Sequence, residues 1–236
     1  MTNILAIDTS TDACSVALYL DGEYREIYEL IPRQHSQRIF PMLRELLPSG
    51  NLREQGVDAI AYASGPGSFT GLRIAASAVQ GLAFGNELPA LAVSTLACQA
   101  QTALREGVAI PEDRVLSMLD ARMNEVYWAA YDFQDGLATL MQGPVVCAPE
   151  NVDFTTQQER LVGVGGGFGY ADFLPGHLQL ALVKTRVDLF PRARDLIPQA
   201  LASYALGDWQ QPAEVMPVYV REEVSWKKIS EQGKRQ

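Results

Sequence analysis

Apolar and polar positions divide the first third of the chain into short, alternating segments. Residues 4–7 are apolar and end in Asp8, residues 10–12 turn, residues 14–20 resume a strand pattern, and Asp21-Gly22 leads into residues 23–31. Asp-Gly between two such runs is a strong hairpin signal, so an antiparallel meander of three strands is predicted. From Ser36 the period lengthens. Ile39, Phe40, Met42, Leu43, Leu46 and Leu47 cover about 160° of a helical wheel, wider than the ~100° stripe that one core face needs. Pro41 sits near the first turn, where it is better tolerated than in mid-helix. Strand 58–63, helix 70–84, strand 89–93 and helix 95–105 follow, and alternation of this kind calls for parallel pairing.

Around Pro111 the pattern restarts. Residues 115–119 are apolar and end in Asp120, residues 125–131 alternate, Asp135-Gly136 turns, and residues 137–147 continue. The second half thus echoes the first as strand, acidic residue, turn, strand, Asp-Gly, strand. A meander followed by βα crossovers is the order of the ribonuclease-H-like fold. The expected class is therefore α/β, a duplicated ribonuclease-H-like fold of the actin-like ATPase (ASKHA) type with mixed sheets. Residues 1–108 form the expected first lobe, completed by a late helix at about 192–206; residues 109–190 form a smaller second lobe with little helix over 150–190. Residues 222–236 read as a polar, mobile tail.

Composition narrows the choice of function. The 236 residues carry a net charge of −9 with 47% hydrophobic positions, which suits a soluble protein and disfavours a dedicated nucleic-acid binder that must neutralise phosphates. Cys14, Cys98 and Cys147 are odd in number and widely spaced, so buried free thiols in a reducing compartment are expected. No basic leader precedes Asp8 and no apolar run approaches the ~18 residues of a membrane helix. A cytoplasmic protein without membrane contact is the expectation.

The segment with most information is Ser-Gly-Pro-Gly-Ser-Phe-Thr-Gly-Leu-Arg-Ile at 64–74. Its glycines allow a tight turn and Ser68 or Thr70 can cap the helix that follows. A helix N-terminus behind glycines can also bind phosphate, but no Gly-Lys-Ser/Thr closes the loop as in a P-loop. A capped strand-to-helix turn and a phosphate cradle both fit. Asp8-Thr9-Ser10 could be a phosphate hairpin with Asp8 near a magnesium ion, or a plain turn. Its counterpart, Asp120-Ala121-Arg122, lacks the glycines that let backbone N–H groups approach a phosphate. Gly165 and Gly166, in the run 163–167, could pass an adenosine closely. Only His35 and His177 exist, far apart, and no Gly-x-Ser-x-Gly elbow is present. No catalytic residue and no metal ligand set is therefore assigned.

Two helices carry more apolar surface than one core contact uses. On helix 70–84, Gly71, Ala75, Ala78 and Leu82 share one face, and Leu72, Ala76, Val79 and Ala83 an adjacent one, leaving Arg73, Ser77 and Gln80 as the polar side. Small residues let a second helix approach closely. Both faces could be internal core; the alternative is a protein interface built from helices 36–47 and 70–84, with Ile39, Phe40, Leu43, Leu46, Leu72, Ala75, Ala76, Val79 and Ala83 as candidate contacts.

Residues 7–17, His35-Ser36, 64–74, Ser94-Thr95-Leu96, 120–127 and Pro217-Val218-Tyr219-Val220-Arg221 together resemble the TsaB family, formerly YeaZ, over the whole chain. That resemblance implies a role in placing a threonylcarbamoyl group on the adenosine beside the anticodon of tRNAs that read codons beginning with A. It implies a non-catalytic scaffold or activator that pairs through its first two helices with a catalytic paralogue, TsaD, or with itself as a homodimer when alone. A TsaE-type ATPase joins the complex, and tRNA is engaged only indirectly. No cofactor is required, and contact with ATP or ADP within the complex stays open. The rival expectation is an active ASKHA-type ATPase or small-molecule kinase using Asp8, Asp120 and the 163–167 run.

Overall fold

The computed structural model describes residues 1–48, 50–155 and 160–221. The expected tail at 222–236 lies outside the described residues. The chain runs β1 (Ile4–Asp8), β2 (Ala13–Leu20), β3 (Glu23–Leu30), α1 (His35–Leu46), β4 (Ala59–Gly65), α2 (Phe69–Asn86), β5 (Ala90–Ser94) and α3 (Thr95–Arg105). It continues through β6 (Arg114–Arg122), β7 (Glu125–Gln134), β8 (Leu137–Cys147), β9 (Leu161–Val164), α4 (Gly176–Ala181), β10 (Leu182–Arg186) and α5 (Ile197–Leu206), with 3₁₀ turns between.

The two halves repeat one topology. The first sheet has the order β3-β2-β1-β4-β5 and the second the order β8-β7-β6-β9-β10. In each, the first strand pairs antiparallel with the second and parallel with the fourth. This is the duplicated ribonuclease-H-like fold with mixed sheets. The duplication extends to side chains at the strand ends. Asp8 Oδ1 accepts from Ser10 N–H at 2.7 Å, and Asp120 Oδ1 accepts from Arg122 N–H at 2.7 Å. The second half departs where little helix was expected, since 3₁₀ turns at Pro149–Asn151 and Gly166–Phe173 and the short α4 stand in for longer helices. Strands β9 and β10 were not predicted.

Layering follows from strand composition. Both faces of β1 and β4 are buried, as near-continuous apolar runs require. Leu5, Ile7, Ile60 and Tyr62 pack toward α1 and α2. Ala6, Ala59, Ala61 and Ala63 face the other way, against α5 and Cys98 of α3; their small side chains permit close approach. α3 then meets the second sheet through Leu96, Ala97, Ala100 and Ala103. Beyond that sheet, Phe168, Leu174 and Leu178 close the last layer.

Helix α3 is buried over nine consecutive residues, from Thr95 to Ala103, so its polar side chains must bond to protein. Gln99 Nε2 donates to the Leu189 carbonyl at 2.8 Å and its Oε1 accepts from Ser117 Oγ at 2.7 Å. Gln101 bonds Gly136 O and Ala138 N on the β7–β8 hairpin. Thr102 Oγ1 donates to Asp195 Oδ2 at 2.8 Å, and Arg105 grips the same carboxylate at 2.7 and 2.9 Å. Asp195 is itself buried. Removing it takes the two-pronged partner from Arg105 and one of two acceptors from Thr102, leaving them Glu106 and the Cys98 carbonyl, so Asp195→Ala should lower stability by about 2–3 kcal/mol, measured by urea unfolding; a loss under about 1 kcal/mol would contradict this account of the lobe junction.

Candidate functional site

The glycines of 64–71 serve the packing of this chain on itself. Ser68 caps α2, its Oγ accepting from Gly71 N–H at 3.3 Å. The β1–β2 turn presses on that first helical turn: Ser68 N–H donates to Ser10 O at 2.7 Å, and Thr9 Oγ1 donates to Gly71 O at 2.7 Å. A Cβ on Gly67 would overlap the Ser10 carbonyl oxygen, and one on Gly71 would overlap the Thr9 carbonyl oxygen. Asp8, Thr9 and Ser10 are all buried. Thus the position where a phosphate would sit between hairpin and helix is filled by backbone.

Burial sets the chemistry of Asp8. Its Oδ2 and the Ser10 hydroxyl have no hydrogen-bond partner among the described residues. Desolvation raises the Asp8 pKa to about 6, against the lowering effect of the Ser10 N–H. The counterpart Asp120 is held by its own neighbour, since Arg122 Nη1 lies 3.0 Å from Oδ2. Arg122, Met123 and Asn124 all have positive φ, a turn of side-chain-bearing residues rather than a glycine cradle. In the 163–167 run, Gly163 makes room for the Phe168 ring, while Gly165 and Gly167 lie against Met118. Gly165 is buried and Gly166 exposed. The residues present do not fit a bound magnesium–nucleotide: one hairpin is covered, the other holds its carboxylate on an arginine, and two of the three glycines following β9's Gly163 touch protein instead.

The two helices α1 and α2 place the nine candidate contacts unequally. Ile39, Leu43, Leu46, Leu72, Ala75, Ala76, Val79 and Ala83 are buried in this chain's own core, and only Phe40 is exposed. Seven of these eight pack with the first sheet in one cluster. Their apolar surface is thus consumed internally, because the sheet needs a helix whose inner face is small. The outer stripe of α2 is Phe69, Arg73, Ser77, Gln80 and Phe84. Phe40, Phe69 and Phe84 are 48%, 58% and 78% exposed. A groove of about 510 Å³ lies between the helices, with Ile39, Phe40, Phe69, Arg73 and Ile74 on its walls. Counting apolar residues on a wheel finds surplus surface but not which side turns inward; the polar residues at 73, 77 and 80 were the available signal for the outer side. His35 opens α1 as a buried residue, its Nε2 3.2 Å from the Ala13 carbonyl oxygen.

The last described segment ties this region together. Gln210 exchanges backbone hydrogen bonds with Ala90, and Val218 N–H donates to Ser64 O at 2.8 Å. Tyr62 Oη donates to Met216 O at 3.1 Å. Tyr219 packs on Phe69 with ring centres 5.8 Å apart, and Arg221 pairs with Glu125 at the base of the β6–β7 turn.

Comparison with known proteins follows the same lines. Residues 27–171 match the family model for TsaD, described as tRNA N6-adenosine threonylcarbamoyltransferase. The tRNA threonylcarbamoyladenosine biosynthesis protein TsaB of Escherichia coli K12 is 43% identical over 96% of this chain and 97% of its own length. The protein of the same name from Haemophilus influenzae is 38% identical, with 96% of each chain covered. A solved structure of YeaZ from Pseudomonas aeruginosa superposes with a TM-score of 0.84 at 44% identity, covering 93% of this chain and all of that one.

The buried Asp8 gives a pH signature. Its folded pKa of about 6 lies above the ordinary carboxyl value, so the folded state binds the proton more tightly and stability falls as pH rises through that window. Asp8→Asn removes the titration. The stability gap between variant and parent should move in the variant's favour by about 1–1.5 kcal/mol from pH 5 to pH 7.5, read from urea midpoints; a gap independent of pH would show that Asp8 does not titrate there. Gly71→Ala, by contrast, should cost about 2 kcal/mol or more at every pH, through overlap with Thr9.

Proposed function

The chain belongs to the TsaB (YeaZ) family, and from that membership we propose that it is a non-catalytic scaffold in tRNA threonylcarbamoyladenosine biosynthesis, pairing with a TsaD-type catalytic paralogue. The observation that carries the reading is the contrast between its two candidate sites. The hairpins that could hold nucleotide are covered or self-paired, whereas the outer side of α1 and α2 presents two exposed phenylalanines, Phe40 and Phe69, on the walls of a groove, with exposed Phe84 farther along α2. Exposed aromatic side chains beside a groove are the anchors that protein interfaces use.

In this reading the partner's helix fills the groove between α1 and α2, a TsaE-type ATPase joins the pair, and tRNA is bound by the assembly rather than by this acidic chain. A homodimer through the same face is the form of the protein alone. The chain requires no cofactor; any nucleotide contact belongs to the assembled complex. No observation favours the rival ATPase or kinase over this reading.

Association, stability, tRNA modification and ATP turnover each test it. The TsaD-type paralogue from the same organism should co-purify with this chain, and tRNA modification should fall when the chain is omitted. Phe40→Arg should weaken that association by roughly tenfold or more with a nearly unchanged melting temperature. Val79→Arg should instead unfold the protein, since it puts an unpaired charge in the core at a cost of several kcal/mol. Turnover of magnesium-ATP by the isolated chain, lost in Asp8→Ala, would sink the scaffold reading and restore the ATPase.

A further inference from the structure

Arg73 is the one charged side chain on the walls of the α1–α2 groove. Its guanidinium carbon lies 3.5 Å from the centre of the Phe69 ring and 5.7 Å from that of Tyr219. Its Nε donates to Tyr219 Oη at 3.0 Å. These contacts use one edge and one face of the guanidinium. Among the described residues, neither Nη group makes a hydrogen bond and no carboxylate pairs with Arg73. The local sequence explains why. α2 contains no Asp or Glu, and Glu45, the single acid of α1, is not on the groove wall.

A chain of net charge −9 therefore leaves an arginine without a carboxylate, among the described residues, on the wall of a mostly apolar groove, and fixes it with two aromatic rings. A guanidinium held this way loses little rotamer freedom on binding, and its free donors match a carboxylate in bidentate geometry. We propose that Arg73 is the specificity-determining contact of this face and takes a carboxylate of the partner: an Asp or Glu set among apolar residues on the segment that fills the groove. The inference rests on the reading of the α1–α2 face as the partner surface. A second copy of this chain would bring another Arg73 and no groove-wall carboxylate, so the proposal selects a different, acid-bearing partner over self-association. Tyr219 is a positioning residue. The segment around it is anchored at Ser64 through Val218 and at Glu125 through Arg221, which holds the phenol where it meets the guanidinium.

The test is calorimetric titration of the full chain with the catalytic paralogue at low and moderate salt. Parent affinity should fall with salt. Arg73→Glu should weaken binding by roughly 30-fold or more, and Arg73→Lys by several-fold because the planar fork is lost. Tyr219→Phe should weaken it by a few-fold while keeping the salt dependence. Arg73→Gln retains most of the stem and gives the same loss should the Glu variant not fold. If Arg73→Glu and Arg73→Gln bind like the parent while Phe40→Arg does not, the face holds the partner and the carboxylate proposal is wrong. If Phe40→Arg also binds like the parent, the reading of the face itself fails.

Discussion

A helix with no side toward water has to bring its hydrogen-bond partners with it, and α3 is such a helix. Gln99, Gln101 and Thr102 each reach a group outside the first sheet: Ser117 and Leu189, the β7–β8 hairpin, and Asp195. Because buried donors and acceptors without partners cost about 1–3 kcal/mol each, this one helix fixes how the two sheets sit together. The alanines of β1 and β4 that face it, and the small residues along its own length, are the steric half of the same constraint. Everything at the surface of the first lobe, including the spacing of α1 and α2, is built outward from that central layer.

Much of the architecture was legible in the sequence, because its strands are short, apolar and punctuated by Asp-Gly turns. The duplication was visible through Asp8 and Asp120, which lie at or near the ends of equivalent strands and make the same bond to the residue two positions on. What escaped notice was β9, a four-residue strand with Gly163 in its middle. Glycine weakens a strand signal, and the reason for it, the Phe168 ring packed above, is separated in sequence and unreadable from spacing. β10 is short and mostly exposed, so alternation had little to register.

The site was harder to read than the fold, for a related reason. Glycines before a helix signal close approach, but the sequence does not say what approaches. Here it is the backbone of Thr9 and Ser10 rather than a phosphate. On α2 the wheel correctly separated the polar side from the apolar ones, yet it could not choose between core and interface for the small residues Ala75, Ala76 and Val79, which were offered as partner contacts and which the sheet takes inward. Phe69 and Phe84, at the two ends of the polar stripe, carry the exposed aromatic surface. Tyr219 joins them from 146 positions beyond Arg73, a neighbour that no local pattern announces.

The segment that carries Tyr219 and Arg221 has a mechanical meaning. Folds made of two similar lobes often work as jaws, spending binding energy to close around a ligand. In this chain the jaws are held together through α3 in the middle, through Gln199 of α5 on the Ala138 carbonyl, and through the Arg221–Glu125 pair at the rim. Such a body is a fixed template. Whatever docks against it meets a shape already set, so little of the contact energy is diverted into ordering the receptor.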